Sequence, residues 1–206
     1  MHTVAAAVFA VSGTAVLTCT ATGQEPRLPV PAADFGPPAS AGPAPSARPV
    51  RAAEAVAVPP PVAVTVPRAG LNAPVTPVGV RKDGSADVPA NPAFAGWYRH
   101  GPAPGAPRGS ATLMGHVDSR TGGLGEFARL ADVALGDRAV VRRAGAPPVT
   151  YRIVRRVTVD RDRLPASAFA RGGPPVLTLI TCAPPYRPES GGYRRNLVVT
   201  AVPDPG

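Results

Sequence analysis

Short runs of β-branched and aliphatic residues fill the chain from about residue 61 onward, and turn residues bound most of them. The runs are rich in Val, Ile, Thr and Leu and occupy residues 62–66, 75–80, 111–117, 139–143, 149–159, 176–181 and 197–202. Clusters of Gly, Pro and Asp separate them, as at residues 81–84, 102–109 and 172–175. This spacing is typical of short strands joined by turns. Because so many short strands need protected edges, the pattern favours an all-β fold, with a closed or nearly closed barrel preferred over a sandwich.

Helical signals in this region are brief. They are confined to residues 124–132 and 165–171, which predicts helices only as short connections between strands. Within the run 149–159, alternation puts Tyr151, Ile153, Val157 and Val159 on one face, with Arg155 as the exception. This pattern predicts a strand that is covered on one side.

The N-terminal part of the chain has a different composition. Residues 4–17 form an almost uninterrupted run of small apolar residues, which fits an export signal and is short for a helix that needs about 20 residues to cross a bilayer. Residues 24–61 contain eleven prolines among Ala, Gly and Ser, a composition that predicts an extended spacer. We therefore expect an export signal or membrane anchor at 1–23, a linker at 24–61 and a folded domain at 62–206 on the extracellular face of the membrane.

The positive charge belongs to the folded region. Three arginines and three acidic residues cancel within residues 1–60, so the formal net charge of +9 falls on residues 61–206. A cationic domain favours anionic surroundings such as wall polymers or lipid headgroups. Nucleic acid is not expected as a partner, because the arginines lack interleaved aromatic residues in a recognisable binding motif.

Three residue types with complementary chemistry occur at the predicted strand ends. Cys182 ends one run, and because Cys19 lies in the export segment, Cys182 is expected to be a lone thiol. The prolines in the following Ala-Pro-Pro-Tyr sequence predict that the strand stops there. His116 ends another run, within Gly-His-Val-Asp at 115–118, and Arg194 and Arg195 open the last run.

Together these groups suit acyl transfer. A thiol can form a thioester with a peptide carbonyl, a guanidinium can hold the developing oxyanion, and an imidazole can protonate the departing amine and later deprotonate a second one. Some alternatives remain open from the residues alone. His100 is a competing histidine in a Pro/Gly loop, Asp118 could orient His116 or accept local backbone N–H groups, and either arginine could be surface charge.

These residues resemble the sortases, the cysteine transpeptidases of Gram-positive surfaces. Residues 178–182 match the sortase signature Thr-Leu-x-Thr-Cys at every fixed position. Residues 62–203 are similar to the proline-rich actinobacterial branch called class F. The segments that carry this second resemblance are Gly-Trp-Tyr at 96–98, Pro-Gly at 104–105, Gly-His-Val-Asp at 115–118, Phe-Ala-Arg-Leu at 127–130, Gly-Asp at 136–137 and Tyr-Arg-x-Asn at 193–196.

The resemblance implies a sortase-type eight-stranded β-barrel with short helices in its connecting loops and a site made of His116, Cys182 and Arg194. Arg194 follows Tyr193 as in the class F pattern, and alternation allows only one arginine to face the thiol, which leaves Arg195 as the alternative. The implied reaction cleaves a Leu-Pro-x-Thr-Gly-like sorting signal between Thr and Gly and transfers the acyl group to an amine of a peptidoglycan precursor or a pilin. The acidic cluster that binds calcium in some sortases is not visible, so neither a metal nor a cofactor is expected.

The chain departs from the class F pattern directly after Cys182, where Ala-Pro-Pro stands at 183–185 in place of the usual glycines. Two rival functions are considered. An L,D-transpeptidase would require Ser-x-Gly-Cys, which residues 179–182 do not supply. The other rival is a non-catalytic cationic β-module that binds anionic cell-wall polymer and uses Cys182 only as a core residue.

Overall fold

The computed structural model describes residues 34–36, 58–82, 85–119 and 122–204. The predicted export segment and most of the predicted linker lie outside these residues. The described part forms a closed barrel in the strand order β1-β2-β3-β4-β7-β8-β6-β5. Its strands are β1 Pro61–Val66, β2 Leu71–Val78, β3 Ala95–Tyr98, β4 Ser110–Gly115, β5 Arg138–Arg143, β6 Ala146–Asp160, β7 Val176–Arg187 and β8 Gly192–Pro203.

The predicted all-β barrel with short connecting helices is confirmed. Each predicted run overlaps a strand, although the runs 75–80 and 111–117 extend past the ends of β2 and β4. Both helical signals correspond to short 3-10 helices. These helices are η1 Pro67–Ala69, η2 Glu126–Asp132, η3 Ala166–Phe169 and η4 Pro188–Ser190. The short strand β3 was not among the predicted runs. None of the helices in the described ranges is long and apolar enough to span a membrane.

Two parallel pairings interrupt an otherwise antiparallel barrel. β2 pairs in parallel with β3, and β4 pairs in parallel with β7. The β4–β7 register runs from Ser110 opposite Val176 to Met114 opposite Ile180. A buried hydrogen bond of 2.8 Å between the hydroxyls of Ser110 and Thr178 ties the two strands together. β7 therefore lies between β4 and β8, and these three strands form the part of the barrel that carries the candidate site.

Apolar side chains cover both faces of these central strands. Leu113, Leu179 and Val199 point into the barrel and are fully buried in the main core. The alternate positions Met114, Ile180 and Val198 face outward and are covered by residues of η3 and its flanks. Two-sided burial explains why these strands appear in the sequence as continuous apolar runs.

The structure corrects the prediction of a single covered face on β6. Tyr151 and Ile153 point into the barrel, but Val157 and Val159 pack against the outer cluster. A register shift between Ile153 and Arg155 inserts an extra residue opposite β8 and reverses the alternation beyond it. Arg156 is therefore turned inward, where its Nη1 donates hydrogen bonds of 2.7 Å to the carbonyls of Ala131 and Val133 at the end of η2.

The two-sided core generates a stability prediction. Leu179→Ala removes a fully buried side chain from β7 and is expected to lower the free energy of unfolding by about 2–5 kcal/mol. Leu135→Ala, at a side chain that is 65% exposed, is the matched control and should change it by less than about 1 kcal/mol. Urea unfolding followed by circular dichroism measures both variants, and similar losses would contradict the assigned core.

Candidate active site

Cys182 lies within β7 and is half-buried. The prediction that the strand stops at Cys182 is wrong, because β7 continues to Arg187. Between the pairs Ala183–Arg195 and Tyr186–Tyr193, β7 has one more residue than β8. This bulge accommodates Pro184 and Pro185, which cannot donate ladder hydrogen bonds.

The strand register positions the three predicted site residues relative to one another. Met114 of β4 and Ile180 of β7 form the last pair of this ladder, and His116 and Cys182 each follow their strand's paired residue by two positions. Cys182 in turn lies opposite Asn196 on β8. Because Met114 and Ile180 both belong to the outer cluster, alternation puts Cys182 on the outer face of the sheet.

The same alternation separates the two arginines. Arg194 lies two residues before Asn196 and therefore on the face of Cys182, whereas Arg195 lies opposite the interior residue Ala183. The Nε of Arg195 is also 3.9 Å from Oδ1 of Asp160, in an exposed ion pair. The register thus brings Cys182 and Arg194, but not Arg195, to one face.

A tight loop after β4 holds the backbone of His116. The N–H of Gly125 donates to the carbonyl of Val117 at 2.9 Å, and Asp118 forms a bridge with Leu124. Gly125 also packs directly on the carbonyl of His116, where a Cβ atom at position 125 would overlap the oxygen. The loop begins at the end of β4 and leads into η2, which starts at Glu126.

Asp118 links this histidine loop to β8. The hydroxyl of Tyr193 donates a hydrogen bond of 2.5 Å to Oδ2 of Asp118. Burial, followed by this bond to Asp118, raises the pKa of Tyr193 well above its ordinary value. The contact identifies Tyr193 as a partner of Asp118, immediately before Arg194, and it ties the strands on either side of β7 to each other.

The electrostatic surroundings of the thiol include an arginine that the sequence analysis did not single out. Burial raises the pKa of Cys182, the guanidinium of Arg161 opposes the rise, and the carboxylate of Asp118 adds to it. Arg161 follows β6, and its backbone N–H donates to the carbonyl of Arg194 at 2.9 Å. Its sequence context, a turn of alternating Asp and Arg at 160–163, carries no signal of such a role.

The geometry defines a closed β-barrel with a half-buried thiol on the outer face of its β4-β7-β8 segment. No group of three His, Cys, Asp or Glu side chains in the described ranges could hold a metal ion. The family model of the sortase domain matches residues 64–204. The chain therefore belongs to the sortase family.

Solved structures with the same fold include several sortases described as sortase C. Sortase C-1 from Actinomyces oris is 21% identical with a TM-score of 0.55, and the match covers 70% of this chain and 73% of that one. Streptococcus agalactiae sortase C1, in its complex with MTSET, is 23% identical with a TM-score of 0.53 over 70% of this chain and 67% of that one. Streptococcus pneumoniae sortase C is 20% identical with a TM-score of 0.52, and the match covers 70% of this chain and 67% of that one. No curated protein sequence matches the chain.

The surroundings of Cys182 generate a pH prediction. Because the thiolate is the reactive form and the pKa of Cys182 is raised, alkylation by iodoacetamide should reach half its maximal rate at a higher pH than in a model cysteine peptide. Arg161→Ala removes an opposing cation and should move this midpoint further up, whereas Asp118→Asn should move it down. Alkylation quenched at fixed times and quantified by mass spectrometry gives the pH profiles of wild type and the two variants. A midpoint that neither substitution moves would contradict the assigned surroundings.

Proposed function

We propose that this chain is a cysteine transpeptidase that cleaves a Leu-Pro-x-Thr-Gly-like sorting signal and transfers the acyl part to an amine. The observation that carries the proposal is the register of β4, β7 and β8. This register supports a site in which His116 and Arg194 lie on either side of the Cys182 thiol. Membership in the sortase family supports the reaction class.

In the first half-reaction, the sulfur of Cys182 attacks the carbonyl carbon of the substrate Thr, and the thiol proton passes to the imidazole of His116. The carbonyl oxygen becomes an oxyanion that the guanidinium of Arg194 stabilises. As the intermediate collapses, the bond between Thr and Gly breaks and His116 returns the proton to the departing amine. The products are a thioester between Thr and Cys182 and a free carboxyl-terminal fragment that begins with Gly.

In the second half-reaction, an acceptor amine attacks the thioester carbonyl and forms a new amide bond. His116 takes a proton from this amine and passes it to the departing sulfur of Cys182, which restores the thiol. The raised pKa of Cys182 bears on the first half-reaction, because a thiol that is mostly protonated at neutral pH needs a proton acceptor during attack.

We assign the acceptor to an amine of a peptidoglycan precursor or of a pilin, and the enzyme to the class F branch. The pilin alternative draws support from the similar sortase C of S. pneumoniae, whose structure is described in terms of pilin substrate specificity. The apolar run at residues 4–17 supports an enzyme held by residues 1–23 at the extracellular face of the membrane, with residues 62–206 as its catalytic domain.

Cleavage of a Leu-Pro-x-Thr-Gly peptide library by the full chain tests the reaction. Wild-type protein should cut between Thr and Gly, and both Cys182→Ala and His116→Ala should reduce kcat/KM by at least about a thousandfold, since each removes a reacting group. Fluorescence release and mass spectrometry of the products provide the measurement. Unchanged cleavage by Cys182→Ala would refute the proposed thioester mechanism. If wild-type protein leaves the library uncut but binds anionic wall polymer, the non-catalytic binding module is favoured instead.

The two adjacent arginines offer a matched pair of variants. Arg194→Ala should lower kcat/KM by about 100- to 1000-fold, as expected for the loss of a group that stabilises an oxyanion. Arg195→Ala removes the same charge from the other face of β8 and should change kcat/KM by less than about threefold. Steady-state kinetics with the best library peptide compares them. A larger effect from Arg195 would overturn the assignment of the arginine.

A further inference from the structure

Residues 34–36 lie beside β6, where Phe35 forms an isolated antiparallel β-bridge with Arg156. The N–H of Phe35 donates to the carbonyl of Arg156 at 3.0 Å, and the N–H of Arg156 donates to the carbonyl of Phe35 at 3.1 Å. The carboxylate of Asp34 accepts hydrogen bonds from the backbone N–H of Thr158 at 3.1 Å and from its hydroxyl at 3.3 Å. The predicted linker is therefore joined to the barrel at this point.

The segment covers the part of β6 that extends beyond its pairing with β5. β5 pairs with β6 only as far as Arg152, whereas β8 pairs with the other side of β6 up to Asp160. The backbone groups of Arg156 and Thr158 that point away from β8 would otherwise form an unpaired strand edge. Phe35 pairs with the N–H and the carbonyl of Arg156, and Asp34 accepts from the N–H of Thr158, so the segment acts like a short added strand.

Each of the three residues fits its position specifically. The guanidinium of Arg156 is held by the carbonyls at the end of η2, and the ring of Phe35 lies 5.0 Å from its Cζ in a cation–π contact. Phe35 and Arg156 also line a cavity of about 430 Å³ beside η2. Gly36 has a φ of +99°, and a Cβ atom there would lie 2.8 Å from the carbonyl oxygen of Val154. The carboxylate, the aromatic ring and the glycine thus each make a different contact with the barrel.

We propose that residues 34–36 are an intramolecular clip that fastens the linker of each molecule to its own barrel. In the barrel order only β5 lies between β6 and β1, but Pro61 is level with Ala146, ten residues from Arg156 along β6, so the linker must cover about 35 Å. The 21 residues at 37–57 can span up to about 70 Å, so the linker reaches β1 of the same molecule without strain. The clip leaves residues 24–33 as the tether to the predicted N-terminal anchor.

The clip limits the distance between the barrel and the membrane to which the proposed N-terminal anchor binds. Ten tether residues span at most about 36 Å, whereas a linker running free from residue 24 to 60 would span up to about 130 Å. The clip therefore keeps the barrel near that surface. This consequence rests on the proposed anchor, whereas the clip itself does not depend on the anchor or on the proposed reaction.

Residue-resolved amide hydrogen exchange on the full chain in detergent micelles tests the clip. The amides of Arg156 and Thr158 should be protected, and the double variant Asp34→Ala/Phe35→Ala should exchange them at least about tenfold faster. By alternation, the amides of Val157 and Val159 point to β8 and should keep their rates in the variant. Glu54→Ala, which removes a carboxylate from the same linker outside the clip, should leave all four rates unchanged. Equal rates for Arg156 and Thr158 in wild type and double variant would overturn the proposal.

Dilution separates a clip within one molecule from exchange of the segment between two copies. Protection of Arg156 and Thr158 in wild type should be the same over a hundredfold range of protein concentration, as expected for an intramolecular contact. Protection that falls on dilution would mean that the segment binds a second copy and would overturn the intramolecular clip. An unchanged rate at the core amide of Leu179 shows in each variant that the barrel itself remains folded.

Discussion

The parallel register between β4 and β7 is the constraint on which the rest of the structure depends. It joins strands that the chain separates by β5, β6 and their connections, and the Ser110–Thr178 hydrogen bond ties them together. A slip of one residue would exchange the inner side chains Leu113 and Leu179 with the outer side chains Met114 and Ile180. Because both faces are covered, such a slip is costly. The relative positions of His116 and Cys182 follow from the same register.

The candidate site combines this rigid frame with opposing electrostatic effects. Burial makes the thiol harder to ionise, Asp118 adds to that effect and Arg161 opposes it. The hydrogen bond from Tyr193 engages Asp118 and links the histidine loop to β8. The proposed chemistry therefore relies on a proton acceptor at the moment of attack rather than on a standing thiolate. By the register of β8, Arg194 is on the same face of the sheet as Cys182. Arg195 is on the opposite face and forms an ion pair with Asp160.

The sequence predicted the barrel class and seven of its strands, because burial on two faces requires β-branched and aliphatic runs. It predicted two of the four short helices in the described residues, η2 and η3, and missed η1 and η4. It missed β3, whose Ala-Gly-Trp-Tyr sequence is too short to show a period. It also misjudged Val157 and the end of β7, because bulges change register without a clear sequence signal. Arg161 and the clip at Asp34 and Phe35 depend on contacts between distant segments. Charged turns and proline-rich linkers give no local indication of such contacts.

Direct detection of the acyl-enzyme tests the central claim, that the barrel register builds a nucleophilic site around Cys182. The full chain is incubated with Leu-Pro-x-Thr-Gly peptides without an acceptor amine, quenched in acid and mapped by mass spectrometry. An acyl group ending in Thr is expected on the peptide that contains Cys182; hydroxylamine should release it, and it should be absent in Cys182→Ala. Acylation at another residue, or peptide cleavage that persists after Cys182 has been fully alkylated, would contradict the central claim.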